Sequence, residues 1–203
     1  MSILDSSWID DELRILHDAA YGFTKTEFDP KREEWEKNGL CDRDAWRQAG
    51  AAGLLCASIP EEYGGAGGTY VHEAVILDAM MRGGAAASVG GGNTVHSQIV
   101  AHYILNCGSQ EQKKRWLPLM ATGDRVGAVA MTEPGAGSDL QGIKTTAKKD
   151  GDDYLINGAK TFISNGQHGD LIVVVCKTDT SQGAKGVSLI VVDTTEVESG
   201  FQR

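Results

Sequence analysis

Over the first 120 positions apolar residues recur every three or four places, the spacing of one helix face. After Ser7, Ile9, Leu13, Leu16, Ala20 and Phe23 share such a face. Asp10, Asp11 and Glu12 lie in its first turn, where acids complement the helix dipole. Asp29 and Pro30 read as an N-cap and first-turn proline for a short charged helix through Lys37. Asp42 reads as the cap of a helix carrying Ala45, Trp46, Ala49 and Ala52 and stopping at Gly53. Positions 60–68 read as a loop, and Thr69 opens a helix that ends near Gly83 and Gly84. Another helix is expected over 94–107, closed by Gly108. Ser109 and Gln112 then match a capping box, whose helix is expected to stop near Pro118 or Leu119.

From residue 125 the period changes to that of strands, expected over 126–131, 145–149, 154–160, 171–176 and 187–193. Asp150 and Gly151 supply a turn, and Asn157 and Gly158 a turn or a kink. Helices followed by strands give an α+β fold of two domains, divided near Thr122, Gly123 and Asp124 into 1–122 and 123–203.

Composition narrows the function classes. Of 203 residues, 41% are hydrophobic and 23% charged, which disfavours intrinsic disorder. The longest apolar runs, such as 171–176, fall far short of the ~18 residues of a membrane span. The opening Met1-Ser2-Ile3-Leu4-Asp5 resembles neither a signal peptide nor a transit segment, so a bacterial-type cytoplasmic protein is expected. The net charge of -9 comes from acidic segments throughout, which argues against nucleic acid. Cys41, Cys56, Cys107 and Cys176 form no CxxC pair and read as buried thiols. His17, His72, His96, His102 and His168 have no metal-ligand spacing, so no metal is expected.

Glycine is the outlier, 26 residues, about twice the usual share of roughly 7%. One glycine loop follows an expected strand: Thr132-Glu133-Pro134-Gly135-Ala136-Gly137-Ser138-Asp139. Its glycines permit close approach of a ligand, and its backbone N–H groups with the Ser138 hydroxyl suit a diphosphate. On spacing alone an ordinary Gly-Pro turn is the favoured reading, because short glycine-rich loops are common. It is neither a Walker loop nor a Rossmann fingerprint, since no Gly-Lys-Ser/Thr and no GxGxxG is present.

The run from Met131 to Gly142 resembles the flavin-binding signature of the acyl-CoA dehydrogenases. The block from Asn157 to Gly166 is similar to that family's next flavin segment. Pro60-Glu61-Glu62-Tyr63-Gly64-Gly65 and Gly108-Ser109-Gln110-Glu111-Gln112-Lys113 match motifs of its helical domain. The long-chain branch is the most similar, and the likeness runs along essentially the whole chain.

The resemblance implies an all-helical amino-terminal domain and a truncated antiparallel middle β domain, with the carboxy-terminal helical domain absent. It implies FAD as cofactor, lined by Val129, Ala130, Met131, Thr132, Glu133, Pro134, Gly135, Ala136, Gly137 and Ser138, with Phe162, Ile163 and Ser164 as the other wall. Met131 and Thr132 would lie near the isoalloxazine and Ser138 at the pyrophosphate and the acyl-CoA substrate. Phe162 would cover the ring, and Ser164 would hydrogen-bond near the reactive nitrogen. Phe162 and Ser164 stand where much of the family has tryptophan and threonine. The Gly183 to Gly186 loop would lie near the CoA moiety, and His96 is the histidine to examine for an acyl-pocket role.

The implied reaction is α,β-dehydrogenation of fatty acyl-CoA thioesters, the opening step of β-oxidation. An acidified α proton and a desolvated carboxylate base are its requirements. The family's base glutamate is expected beyond Arg203, so no catalytic residue is assigned within the chain. Glu133 is rejected as base, its expected role being to orient the turn through backbone N–H groups. Electron transfer flavoprotein is the implied electron acceptor and a homotetramer the implied full-length assembly. An acyl-CoA oxidase and a non-catalytic acyl-CoA or FAD-fold interaction module are the alternative readings.

Overall fold

The helix that opens the fold, α1 (Asp11–Glu27), starts where expected, because the Asp10 carboxylate accepts the Leu13 N–H at 2.9 Å. The computed structural model describes residues 3–197 and 199–203; Met1 and Ser2, part of the amino-terminal reading, lie outside them. Helix α2 (Arg32–Asn38) begins later than Asp29. Asp29 instead opens a single 3-10 turn and is occupied by Lys25 and Arg32, so it caps nothing. The cap assigned to Asp42 is also corrected. Arg43 occupies the position before α3 (Asp44–Ala51), and among the described residues Asp42 contributes its carbonyl, to the Ala45 N–H, and no side-chain cap.

Helix α4 (Tyr70–Met80) opens on a capping box made by Thr69 and His72. It passes into a π-helical turn, Met81–Ala85, which breaks at Gly84 with φ +110°. The helix expected over 94–107 starts earlier, as α5 (Val89–Asn93), a π-helical stretch (Thr94–Val100) and α6 (Ala101–Cys107). Helix α7 (Gln110–Ala121) opens on the expected Ser109–Gln112 box. It does not stop at Pro118: Leu117, Met120 and Ala121 are buried, and this burial outweighs the one backbone hydrogen bond that proline removes. Trp46, Phe28, Trp35, Ile76 and Met80 centre the core of this helical unit. Cys41 and Cys56 are buried there, whereas Cys107 is exposed, contrary to expectation.

The second unit carries β1 (Gly127–Ala130), β2 (Thr146–Asp150), β3 (Asp153–Asn157), β4 (Leu171–Lys177) and β5 (Val187–Asp193). The sheet order is β1-β4-β2-β3, with β5 on β4. Strands β2 and β3 form a hairpin in which Asp150 faces Asp153 and Gly151 takes φ +61°. Strand β5 pairs antiparallel with β4 along its whole length.

The expected antiparallel domain is therefore a mixed sheet. Strand β1 runs parallel to β4, Gly127 against Leu171 through Ala130 against Val174. Parallel neighbours need a long crossover, and residues 131–170 provide it. Strand β4, with neighbours on both sides, is an almost unbroken apolar run, as a central strand should be. The compact units are Met1–Val126 and Gly127–Arg203. No helix among the described residues is long and apolar enough to cross a membrane.

Candidate flavin site

The parallel pairing of β1 with β4 shapes the candidate site. The chain leaves β1 at Ala130 and enters the glycine loop. Glu133, Pro134, Gly135 and Ala136 form a tight turn, closed by the Glu133 N–H to the Ala136 carbonyl (3.0 Å) and the Ala136 N–H to the Glu133 carbonyl (3.1 Å). Ala136 is buried with Ile143 and Val175, while Pro134, Gly135, Gly137 and Ser138 are exposed. Val129 is half-buried and Ala130 buried within β1.

Glu133 sits beneath this turn, buried. Its carboxylate accepts the Lys144 N–H (2.6 Å), the Thr145 N–H (3.0 Å) and the Lys160 ammonium (2.9 Å). Burial pushes its pKa up, but the hydrogen bonds from Thr145, Lys144 and Lys160 outweigh that and hold it down at about 2. A carboxylate so depressed and so fully engaged is poorly placed to take a proton. It ties the turn to the backbone, as expected for its orienting role.

The second expected wall is joined to the first. The Thr161 N–H donates to the Thr132 carbonyl at 2.9 Å, and the Thr132 hydroxyl donates to the Thr161 carbonyl. Lys160 Nζ donates to the Met131 carbonyl at 2.8 Å. Beyond the wall, Asn165 Nδ2 donates to the Gly127 carbonyl at 2.9 Å. The segment containing Phe162, Ile163 and Ser164 is thus fastened at both ends to β1 and its exit loop.

Between those fastenings, Ile163 is half-buried against Ala128, Ala130 and Ile172. Ser164 is exposed. Phe162 is 96% exposed, at φ +56°. Left-handed backbone is disfavoured for a bulky residue, and a presented phenyl ring buries no core surface. Met131 packs its side chain toward Ala136, Ile143 and Val175, so its backbone, rather than its thioether, is what it offers at the loop.

The loop glycines test whether a diphosphate cofactor fits. A Cβ added at Gly135 or Gly137 would meet nothing within 4 Å, and neither residue has positive φ. The fold therefore does not demand glycine at either place, whereas a ligand lying against the backbone does. Among the described residues none accepts from the backbone N–H of Gly135, Gly137 or Ser138. These donors, with the Ser138 hydroxyl, suit an anion. Gly158 is the contrast: a Cβ there would lie 2.2 Å from Thr145 Oγ1, so its glycine is structural.

Known proteins bear directly on this geometry. The model of the acyl-CoA dehydrogenase N-terminal domain matches residues 10–124, and that of the middle domain matches residues 128–203. The chain belongs to the acyl-CoA dehydrogenase family. The long-chain specific acyl-CoA dehydrogenase of Sus scrofa is 44% identical over 165 residues, 81% of this chain and 38% of that protein. The crystal structure of an acyl-CoA dehydrogenase from Geobacillus kaustophilus matches at TM-score 0.88 and 42% identity, over 93% of this chain and 50% of its own. A glutaryl-CoA dehydrogenase from Mycobacterium smegmatis, solved in complex with FADH2, matches at TM-score 0.82 and 29% identity, over 92% and 46%. This acyl-CoA dehydrogenase chain thus spans half or less of the length of these relatives.

Sequence reasoning gave no role to Lys160, Thr161 or Asn165, which hold the walls together, or to Thr145, whose N–H binds Glu133. The available signal was a lysine amid small and uncharged neighbours in the block from Asn157 to Gly166. His96 is fully buried, bonded through Nε2 to the Met120 carbonyl (3.0 Å) and tilted against Trp46, and burial lowers its pKa to about 4. It serves the helical core.

Proposed function

We propose that this chain provides the FAD-binding face of an enzyme that α,β-dehydrogenates fatty acyl-CoA thioesters. The observation that carries the reading is the pair of glycines, Gly135 and Gly137, which the fold leaves open and does not require. Family membership supports the reaction class. When bound, FAD supplies the hydride acceptor. The backbone of Met131 and Thr132 would line the flavin, and the N–H groups of Gly135, Gly137 and Ser138 would hold its diphosphate. Phe162 would cover the bound flavin and shield it from water, and the Ser164 hydroxyl would be a hydrogen-bond donor to it. Ser138 also contacts the acyl-CoA. Electron transfer flavoprotein as acceptor and a homo-oligomeric enzyme belong to the same proposal.

The test is anaerobic addition of a panel of acyl-CoA thioesters to the FAD-loaded, full-length protein. Bleaching of the flavin, strongest with medium or long chains, is the expected result. Substantial peroxide yield in air would reassign the protein as an oxidase. Failure to bind FAD would overturn the reading.

A further inference from the structure

Lys160 makes an enclosed contact in the β unit that the proposed reaction leaves without a task. Its side chain is 11% exposed, and the carboxylate it meets, Glu133, is 7% exposed. Enclosing an ammonium and a carboxylate is costly, and well-packed apolar residues in their place are often as stable. An ion pair of this kind calls for an explanation beyond stability.

Its placement gives one. The ammonium reaches from the second wall to the first, to the Met131 carbonyl at 2.8 Å and to Glu133 Oε1 at 2.9 Å. Two residues along the chain stands Phe162, almost wholly exposed and in left-handed backbone. Such a conformation persists only where its surroundings over-determine it. The surroundings here are the Lys160 contacts and the Thr161 N–H on one side and Asn165 on the other.

We infer that Lys160 is a positioning residue, which sets the distance between the Met131 and Thr132 backbone and the Phe162 ring and so the width of the flavin slot. The inference rests on the proposed flavin site. Lys160 touches neither substrate nor cofactor; it acts through Phe162 and Met131. A plain stabilising role would leave the energetic effect of Phe162 intact, whereas a positioning role makes the effect of Phe162 depend on Lys160.

The experiment is a double-mutant cycle on FAD affinity, read by flavin fluorescence in the full-length protein. Phe162→Ala is expected to weaken FAD binding about tenfold in the parent, the scale of one lost aromatic contact. Lys160→Met should weaken binding to a similar degree, and Phe162→Ala added to it should cost less than about twofold more. Equal cost of Phe162→Ala in both backgrounds, or unchanged affinity in Lys160→Met, overturns the inference. Lys160→Arg keeps the charge on Glu133 and guards against a variant that does not fold. It is expected to weaken FAD binding at least about threefold and to alter the visible circular dichroism of the bound flavin, because the larger guanidinium spreads the walls. Parent-like affinity and dichroism for Lys160→Arg also overturn it. Absence of FAD binding by the parent overturns the flavin reading and this inference together, whereas a parent that binds FAD with an additive cycle overturns this inference alone.

Discussion

Thr132 and Thr161 grip each other twice, through the Thr161 N–H to the Thr132 carbonyl at 2.9 Å and through the Thr132 hydroxyl to the Thr161 carbonyl. Residues 29 positions apart are thereby paired side by side outside any strand. Thr132→Val keeps the shape and removes the donor. It should destabilise the β unit by about 1 kcal/mol, the net worth of one hydrogen bond, in chemical denaturation. Thr132→Ser should recover most of that.

The glycines separate into two kinds by what a Cβ would meet. Gly135→Ala and Gly137→Ala should leave stability within about 0.5 kcal/mol of the parent, as at unremarkable surface positions, while FAD affinity drops at least about tenfold. Gly158→Ala should do the reverse in kind. Its Cβ would lie 2.2 Å from Thr145 Oγ1 and 2.8 Å from Thr145 Cα, and the overpacking should cost about 1–3 kcal/mol of folding stability. Thermal unfolding and flavin titration on the same samples check both.

Glu133 makes the β unit acid-sensitive. Its folded pKa of about 2 lies below the ordinary 4.5, so the unfolded chain binds the proton more readily. The stability it contributes is fully present above pH 4.5 and is lost as pH falls toward 2. Glu133→Gln should lower stability at neutral pH and flatten the acid limb. Hydrogen exchange of the Lys144 and Thr145 amides, which donate to this carboxylate, should report the change.

His96 makes a second acid limb in the helical unit. Burial lowers its pKa to about 4 from the ordinary 6.5, so below pH 6.5 the unfolded chain gains a proton that the folded one refuses. Stability is full above pH 6.5 and falls between 6.5 and 4. The tryptophans, Trp8, Trp35, Trp46 and Trp116, all lie in this unit, so their fluorescence reads its unfolding separately from the sheet. His96→Gln, which retains a donor for the Met120 carbonyl, should remove the slope over that interval.

What could be read from residue order was what depends on neighbours in the chain. Ser109 and Gln112 satisfy each other within one helical turn, and 187–193 is apolar and β-branched like the strand it is. Asp29 and Asp42 have the right chemistry for caps, but Lys25 and Arg32 compete for the first, and Arg43 takes the position the second would need. Pro118 carries a local stop signal that burial of Leu117 and Met120 overrides. The site was legible as two motifs, each ambiguous alone. Their joint meaning rests on Lys160, Thr161 and Asn165, whose partners at Met131, Thr132 and Gly127 are set by tertiary structure and leave no periodic trace.

The parallel register of Gly127 against Leu171 has a kinetic side. The β2–β3 hairpin can zip locally, but β1 meets β4 only after a loop of some forty residues closes, and such non-local pairing is the slow part of folding. The glycine loop and the Phe162 segment are likewise joined by non-local contacts, Thr132 with Thr161. Flavin capture would therefore mark the last stage of assembly, and the onset of flavin quenching during refolding should lag behind the appearance of helical structure.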